Sequence, residues 1–213
     1  MHHLSLFIVV LVSMLSGLPA DTRSAPTVVL LGDSLSAGYG LAQNQSWAAR
    51  LAERLAQLPT PRLLHNASIS GETSAGGAAR IDALLKAYHP ELVIVELGAN
   101  DGLRGLPVTE LENNLDRIVS ACLAAGSQVI LIPMRLPPNY GTPYTRAFEN
   151  VYTTISRRYR IALTPFLLSG LSREAGDFQN DGLHPGPEAQ GRILENVWPA
   201  IRARLPPHGP AAP

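Results

Sequence analysis

The stretch from Val28 to Gly40, VVLLGDSLSAGYG, ends a short apolar run in Gly32, Asp33 and Ser34, then continues through Ser36, Gly38 and Gly40. Such a strand-to-loop junction can cradle a phosphate or present a nucleophile. A Walker loop needs Gly-Lys-Ser/Thr, and this stretch has no lysine. A dinucleotide fingerprint needs G-x-G-x-x-G, and the glycines at 32, 38 and 40 miss that spacing. Asp33 would also repel a phosphate. A nucleophile needs a base, a group that orients the base, and donors for the developing oxyanion. The stretch is not the G-x-S-x-G elbow, because the residue two after Ser34 is Ser36. Ser34 is expected at the start of the next helix, where free amides favour negative charge. Ser36 would then face elsewhere, and Asp33 is read as a cap or loop anchor. The Gly38–Gly40 segment is read as room for the helix start beside a substrate.

The base should be a histidine. His2, His3 and His208 lie near the termini, His65 in a strand and His89 at a helix end. His184, in NDGLHPGP, stands three residues after Asp181 in a segment stiffened by Gly182, Pro185 and Gly186. In a helical-type turn, residues i and i+3 are neighbours. Asp181 could accept from Nδ1 and leave Nε2 facing Ser34; the alternative is an Asp-Gly turn with a surface histidine. Two oxyanion donors are available. Gly71, in SISGETS, has a backbone N–H that can approach closely because no Cβ intervenes. Asn100, in LGANDGL, has a side-chain amide, though a buried Asn can equally pin a loop. Cys122 is the only cysteine, which excludes an internal disulfide and a thiolate-rich metal site. It shares a helical face with Leu111, Leu115 and Ile118. It is read as a small buried hydrophobe rather than a nucleophilic thiol.

These residues need a frame. Apolar runs at Val28–Leu31, Leu63–Ala67, ELVIVELG, SQVILIPM and IALTPF read as strands. Between them lie helical patterns: SWAARLAERLAQL, AARIDALLKAYH, Thr109–Ala125, AFENVYTTISRRY and PEAQGRILENVWPAIRARL, the last with Pro187 suited to its first turn. Five strands alternating with helices imply a parallel sheet covered on both faces. The expected fold is α/β, a three-layer αβα sandwich of flavodoxin-like type. Ligands in such folds sit beyond the carboxyl ends of the strands. Ser34, Gly71 and Asn100 all follow strands, and Arg135–Tyr144 reads as a rim loop.

The chain has 213 residues, which suits one such domain, taken as 26–205. Residues 1–20 read as a secretory signal peptide: Leu4–Leu18 is mostly apolar, and small residues end at Ala20. An uncleaved anchor is the alternative. Either way the body lies outside the cytoplasm, periplasmic or secreted. Residues 206–213, Pro-rich, read as a disordered tail. Lys+Arg and Asp+Glu number 17 each, with no charge block, which argues against nucleic-acid binding.

Together, GDSLS, ASISGETS, GAND and DGLHP resemble in order and spacing the motif blocks of the GDSL, or SGNH, hydrolase family. The resemblance runs from Val28 to about Leu205. Within the family, GDSLSAGYG, NASISGETSAGG, ELGANDGLRG and RLPPNYG look most like the bacterial periplasmic multifunctional esterases with thioesterase, protease and lysophospholipase activities. The resemblance implies the SGNH hydrolase fold, no metal and no cofactor. It implies hydrolysis of acyl thioesters, aryl esters and lysophospholipids through an acyl-enzyme on Ser34. His184 would act as base and acid, oriented by Asp181. The Ser34 and Gly71 amides and the Asn100 side chain would hold the oxyanion. Leu103, Leu106, Leu136 and Pro137, on the loops after the third and fourth strands, are expected to line an acyl groove. The partners expected are small amphiphilic esters or thioesters, met by a monomer with no stable membrane insertion once the leader is removed. An O-deacetylase of carbohydrate or peptidoglycan and a non-catalytic lipid- or glycan-binding module are the competing readings.

Overall fold

The structure, a computed structural model, describes residues 25–205. The expected leader and the Pro-rich tail lie outside the described residues. Five strands form one parallel sheet: β1 (Thr27–Gly32), β2 (Leu63–Asn66), β3 (Leu92–Glu96), β4 (Gln128–Leu131) and β5 (Ala162–Leu163). Their order, β2-β1-β3-β4-β5, is the flavodoxin-like arrangement. Val28–Leu31 and Leu92–Val95 are completely buried, which is why these central strands are continuous apolar runs rather than alternating ones. Their register sets Gly32 opposite Glu96, so the ends of β1 and β3 open side by side.

Among the described residues, seven α-helices surround the sheet: α1 (Ser34–Ala37), α2 (Trp47–Ala56), α3 (Ser74–Tyr88), α4 (Ala99–Leu103), α5 (Val108–Ala124), α6 (Thr142–Tyr159) and α7 (Gln190–Arg204). α2 packs with α7, while α3, α5 and α6 pack in succession. Helical spacing creates the buried stripes: Trp47, Leu51 and Leu55 on α2, and Leu111, Leu115, Ile118 and Cys122 on α5. Burial, with a smaller contribution from Asp82, pushes the Cys122 thiol up to about 12, so it is an inert packing group.

Local features differ from the sequence expectation. α6 begins at Thr142, so its first turn takes up the end of the expected Arg135–Tyr144 rim loop, and Pro187 opens a 3-10 turn, Pro187–Ala189, that precedes α7. α3 begins at Ser74, a full turn early, capped by the Thr73 hydroxyl. Its first turn contains Gly76 and Gly77, poor helix formers. Gly77 is tolerated because a Cβ there would run into the Leu97 side chain. α4 is a single short helix with no apolar period to announce it. β5 is only two residues long: Thr164 N–H still bonds the Leu131 carbonyl at 3.1 Å, but Pro165 has no N–H to continue the ladder. No helix among the described residues is long and apolar enough to cross a membrane.

Candidate active site

In this strand order the chain leaves β1 toward one side of the sheet and returns to β3 on the other, opening a crevice between them. Ser34 follows β1 and Asn100 follows β3. Asp33 caps α1, its Oδ1 accepting from Leu35 N–H at 3.0 Å. Ser34 is therefore the first residue of α1, and its N–H has no intrahelical acceptor. Ser36 turns inward, fully buried, and its hydroxyl donates to Glu96 Oε2 at 2.6 Å. Gly38 and Gly40 do not make room for substrate as expected. Both have left-handed backbone, at φ +77° and +74°, and Gly38 closes α1 with its N–H on the Ser34 carbonyl.

His184 Nε2 lies 2.8 Å from Ser34 Oγ, and His184 Nδ1 lies 2.7 Å from Asp181 Oδ2. The other Asp181 oxygen accepts from the backbone N–H groups of Leu183 and His184, at 2.9 and 3.0 Å. The turn is closed by the Asp181 side chain and by Gly182 at φ +64°, not by the helical turn expected. The His184 backbone N–H, the His184 ring and the Leu183 N–H hold the Asp181 carboxyl down at about 2, so it is an anion at neutral pH.

Side chains that sequence reasoning passed over fix this turn. Gln190, buried, accepts from Trp47 N–H at 2.9 Å and donates to the Pro185 and Gly186 carbonyls at 3.2 Å. Gln179 donates to the Tyr39 and Pro185 carbonyls, and its own N–H bonds the His184 carbonyl at 2.7 Å. The Tyr39 ring lies against the imidazole with centroids 4.6 Å apart.

Gly71 takes φ +80°, and its carbonyl accepts from Arg104 Nη2 at 2.9 Å. Its N–H has no acceptor among the described residues. Asn100 Nδ2 donates to Asp33 Oδ2 at 3.1 Å and to the Glu72 carbonyl at 3.0 Å, so both amide hydrogens have acceptors. Behind Asp33 sits Glu96, fully buried, whose Oε2 accepts from Asp33 N–H and Ser36 Oγ. Burial, reinforced by Asp33, raises Glu96 well above the usual carboxyl range. Burial also raises Asp33, to about 6, against the bonds from Leu35 and Asn100. The clue to Glu96 in the sequence was an acid inside the apolar run ELVIVELG.

Ser34, Gly71, Asn100 and His184 border one cleft of about 370 Å³. Ala99, Leu103, Met134, Leu136 and Pro137 line it, and so do Arg135, Phe166, Leu168, Arg173, Phe178 and Leu183. Leu103, Leu136 and Pro137 thus lie where a groove was expected. Leu106 does not: it is off the cleft and half-buried, with its carbonyl taken by the Tyr144 hydroxyl at 2.7 Å. The Gly105 turn at φ +65° carries the chain away from the cleft mouth before Leu106 is reached. A serine hydroxyl bonded to an imidazole, an imidazole bonded to a carboxylate, and free amides beside them can together carry out acyl transfer.

Residues 30–192 match the model of the GDSL-like lipase/acylhydrolase family. The chain is 46% identical over 182 residues to Esterase TesA of Pseudomonas aeruginosa, covering 85% of this chain and 90% of that protein. It is 40% identical over 172 residues to thioesterase 1/protease 1/lysophospholipase L1 of Escherichia coli strain K12, covering 81% of each. Among solved structures, a crystal structure of TesA superposes with a TM-score of 0.81 at 46% identity, covering 84% of this chain and 99% of that one. With the crevice, the hydrogen-bonded Ser34 and the order of its motif blocks accounted for on one sheet, the chain belongs to the GDSL-like lipase/acylhydrolase family of ester-hydrolysing serine hydrolases.

Proposed function

We propose that this protein hydrolyses carboxylic esters and thioesters of amphiphilic acyl compounds through an acyl-enzyme on Ser34. The observation that carries the reading is the hydrogen-bonded chain Ser34–His184–Asp181, whose first two members border an apolar cleft. In the first half-reaction Ser34 Oγ bonds the carbonyl carbon while His184 Nε2 takes its proton. The carbonyl π pair moves onto oxygen. Asp181 keeps Nδ1 protonated and stabilises the imidazolium. The oxyanion meets the N–H groups of Ser34 and Gly71. It reaches Asn100 by sharing or displacing one of that amide's two present acceptors. The tetrahedral adduct collapses, and His184 gives its proton to the departing thiolate or alkoxide. In the second half-reaction His184 takes a proton from water as the water oxygen attacks the acyl carbon. Release of the acid returns the proton to Ser34.

Leu103, Leu136 and Pro137 are the acyl-chain side of the cleft in this reading. An acetyl group alone would leave that apolar wall unfilled, which favours longer acyl chains over O-deacetylation. The names of the relatives, an esterase and a thioesterase/lysophospholipase, point to the same substrate range. The apolar segment Leu4–Leu18 supports a periplasmic or secreted location, and the protein is taken to act as a monomer without cofactor. Ser34→Ala is expected to keep the thermal transition and to abolish both p-nitrophenyl octanoate hydrolysis and labelling by a fluorophosphonate. Hydrolysis at the wild-type rate by Ser34→Ala would overturn the proposal.

A further inference from the structure

The cleft carries charge that the acyl-transfer chemistry does not use. Arg135 and Arg173 both line it together with Ser34 and His184, and both side chains are exposed. The Arg135 guanidinium lies 5.3 Å over the Phe166 ring. The Arg173 guanidinium packs against Gly182, where a Cβ would stand 3.4 Å from its Cζ and Nε. Neither forms an ion pair or side-chain hydrogen bond among the described residues. The single carboxylic acid among the lining residues is Asp33, whose oxygens are already taken by Leu35 N–H and Asn100. Two guanidinium groups without a salt-bridge partner at an apolar cleft can receive an anion, because Arg presents forked donors that match a phosphate; the Arg173 charge is also felt by its neighbour Glu174, which does not line the cleft.

Their side of the cleft identifies which part of a substrate they meet. His184 protonates the leaving group, so the leaving group lies toward His184. Gly182, against which Arg173 packs, is two residues from His184. Arg135 sits over Phe166, another lining residue. Leu136 instead packs toward α4: a Cβ on Gly102 would stand 2.8 Å from its Cδ1. The phosphate of a glycerophosphate ester is three carbons beyond the ester oxygen, close to the leaving-group atom that His184 would protonate. The phosphates of coenzyme A stand much further from the reacting carbonyl, at the far end of the pantetheine arm.

On the ester-hydrolase reading above, we infer that Arg135 and Arg173 form an anion subsite holding the phosphate of a glycerophosphate leaving group. The subsite selects lysophospholipid-type esters over neutral esters with the same acyl chain. The test compares 1-octanoylglycerol 3-phosphate with 1-octanoylglycerol, both below their micellar concentrations. A wild-type kcat/KM ratio of about tenfold or more in favour of the phosphate ester is expected, from two charge-assisted contacts. Arg135→Gln and Arg173→Gln should each lower that ratio by about threefold to tenfold, through KM for the phosphate ester, with Lys at either position restoring part of it. A second pair, octanoyl-CoA against octanoyl-N-acetylcysteamine, should keep its ratio in both Gln variants. A wild-type glycerophosphate ratio near one would overturn the subsite. So would equal losses on both octanoyl esters in the Gln variants, or a loss confined to the coenzyme A pair. Failure of the wild type to hydrolyse either octanoyl ester would instead overturn the ester-hydrolase reading itself.

Discussion

Asn100 holds its side-chain amide between a carboxylate and a backbone carbonyl, Asp33 Oδ2 and Glu72 O. Both are acceptors, so the amide cannot flip without turning its own oxygen toward two other oxygens. That arrangement fixes which way the amide hydrogens point before any substrate arrives. In the proposed reaction, an oxyanion would then compete for a hydrogen already engaged. An oxyanion, charged and short-range, outcompetes a neutral carbonyl, and the contact strengthens as charge develops. Asn100→Ala is therefore expected to lower kcat by about 10²–10³ with a smaller change in KM, the signature of a lost transition-state donor. Steady-state kinetics on p-nitrophenyl octanoate would check this. Arg104, by bonding the Gly71 carbonyl, holds the loop whose N–H is the other donor proposed for the oxyanion.

At the scale of elements, the site depends on two tethers. The first joins β1 to β3 through acids. Glu96, at the end of β3, accepts from the Asp33 N–H and the Ser36 hydroxyl, fastening the start of α1 to the neighbouring strand. Burial lifts Asp33 from its ordinary 3.8 to about 6. A carboxyl with a higher value in the folded state binds its proton more tightly there. Its contribution to stability is full below its unfolded value and is lost as pH rises through about 6. Asp33→Asn should accordingly flatten the fall in Tm between about pH 4 and 6. It should also lower kcat, because an amide at 33 cannot accept on both sides as the carboxylate does. Thermal melts across that range, with kcat measured at each pH, read both effects. The second tether is Gln190, the first residue of α7, which joins the N-terminus of α2 to the turn bearing His184. Gln190→Ala leaves the buried Trp47 N–H without its acceptor and removes one of the two donors that each of the Pro185 and Gly186 carbonyls has. It should cost at least about 2 kcal/mol of stability by chemical denaturation and lower kcat by loosening the His184 turn.

At the scale of the whole molecule, the chemistry hangs on a sheet centre that does not line the cleft. Val28–Leu31 and Leu92–Val95 form a fully buried centre, and the strand ends inherit their rigidity from it. Leu30→Ala, in the middle of β1, should cost about 2–5 kcal/mol in urea unfolding. Well below the transition, kcat should hold, since the Ser34–His184 geometry is fixed by hydrogen bonds at the carboxyl end of the strand. An equal fall in kcat would mean that the crevice shares its rigidity with the core more closely than its local bonds imply.

The amino-acid sequence by itself determined the frame: continuous apolar runs separated by helical periods allow little but a parallel sheet with helices on both faces. It also determined where Ser34, Gly71, Asn100, Asp181 and His184 would stand, because ligand sites in such sheets follow the strand ends and those residues follow apolar runs or occupy a stiff turn. Only the tertiary structure decided what joins them. Leu106 is apolar and lies near Leu103 in sequence, yet one left-handed turn at Gly105 takes it off the cleft. Glu96 shows locally only as an acid in an apolar run, and Gln179 and Gln190 carry no local signal at all, since their partners lie 63, 140 and 143 residues away in Asp33, Tyr39 and Trp47. Arg135 and Arg173 read as ordinary surface cations until folding sets both on the wall of one cleft. Periodicity reports which face of an element is buried. Which distant residue meets it there is a property of the packed whole.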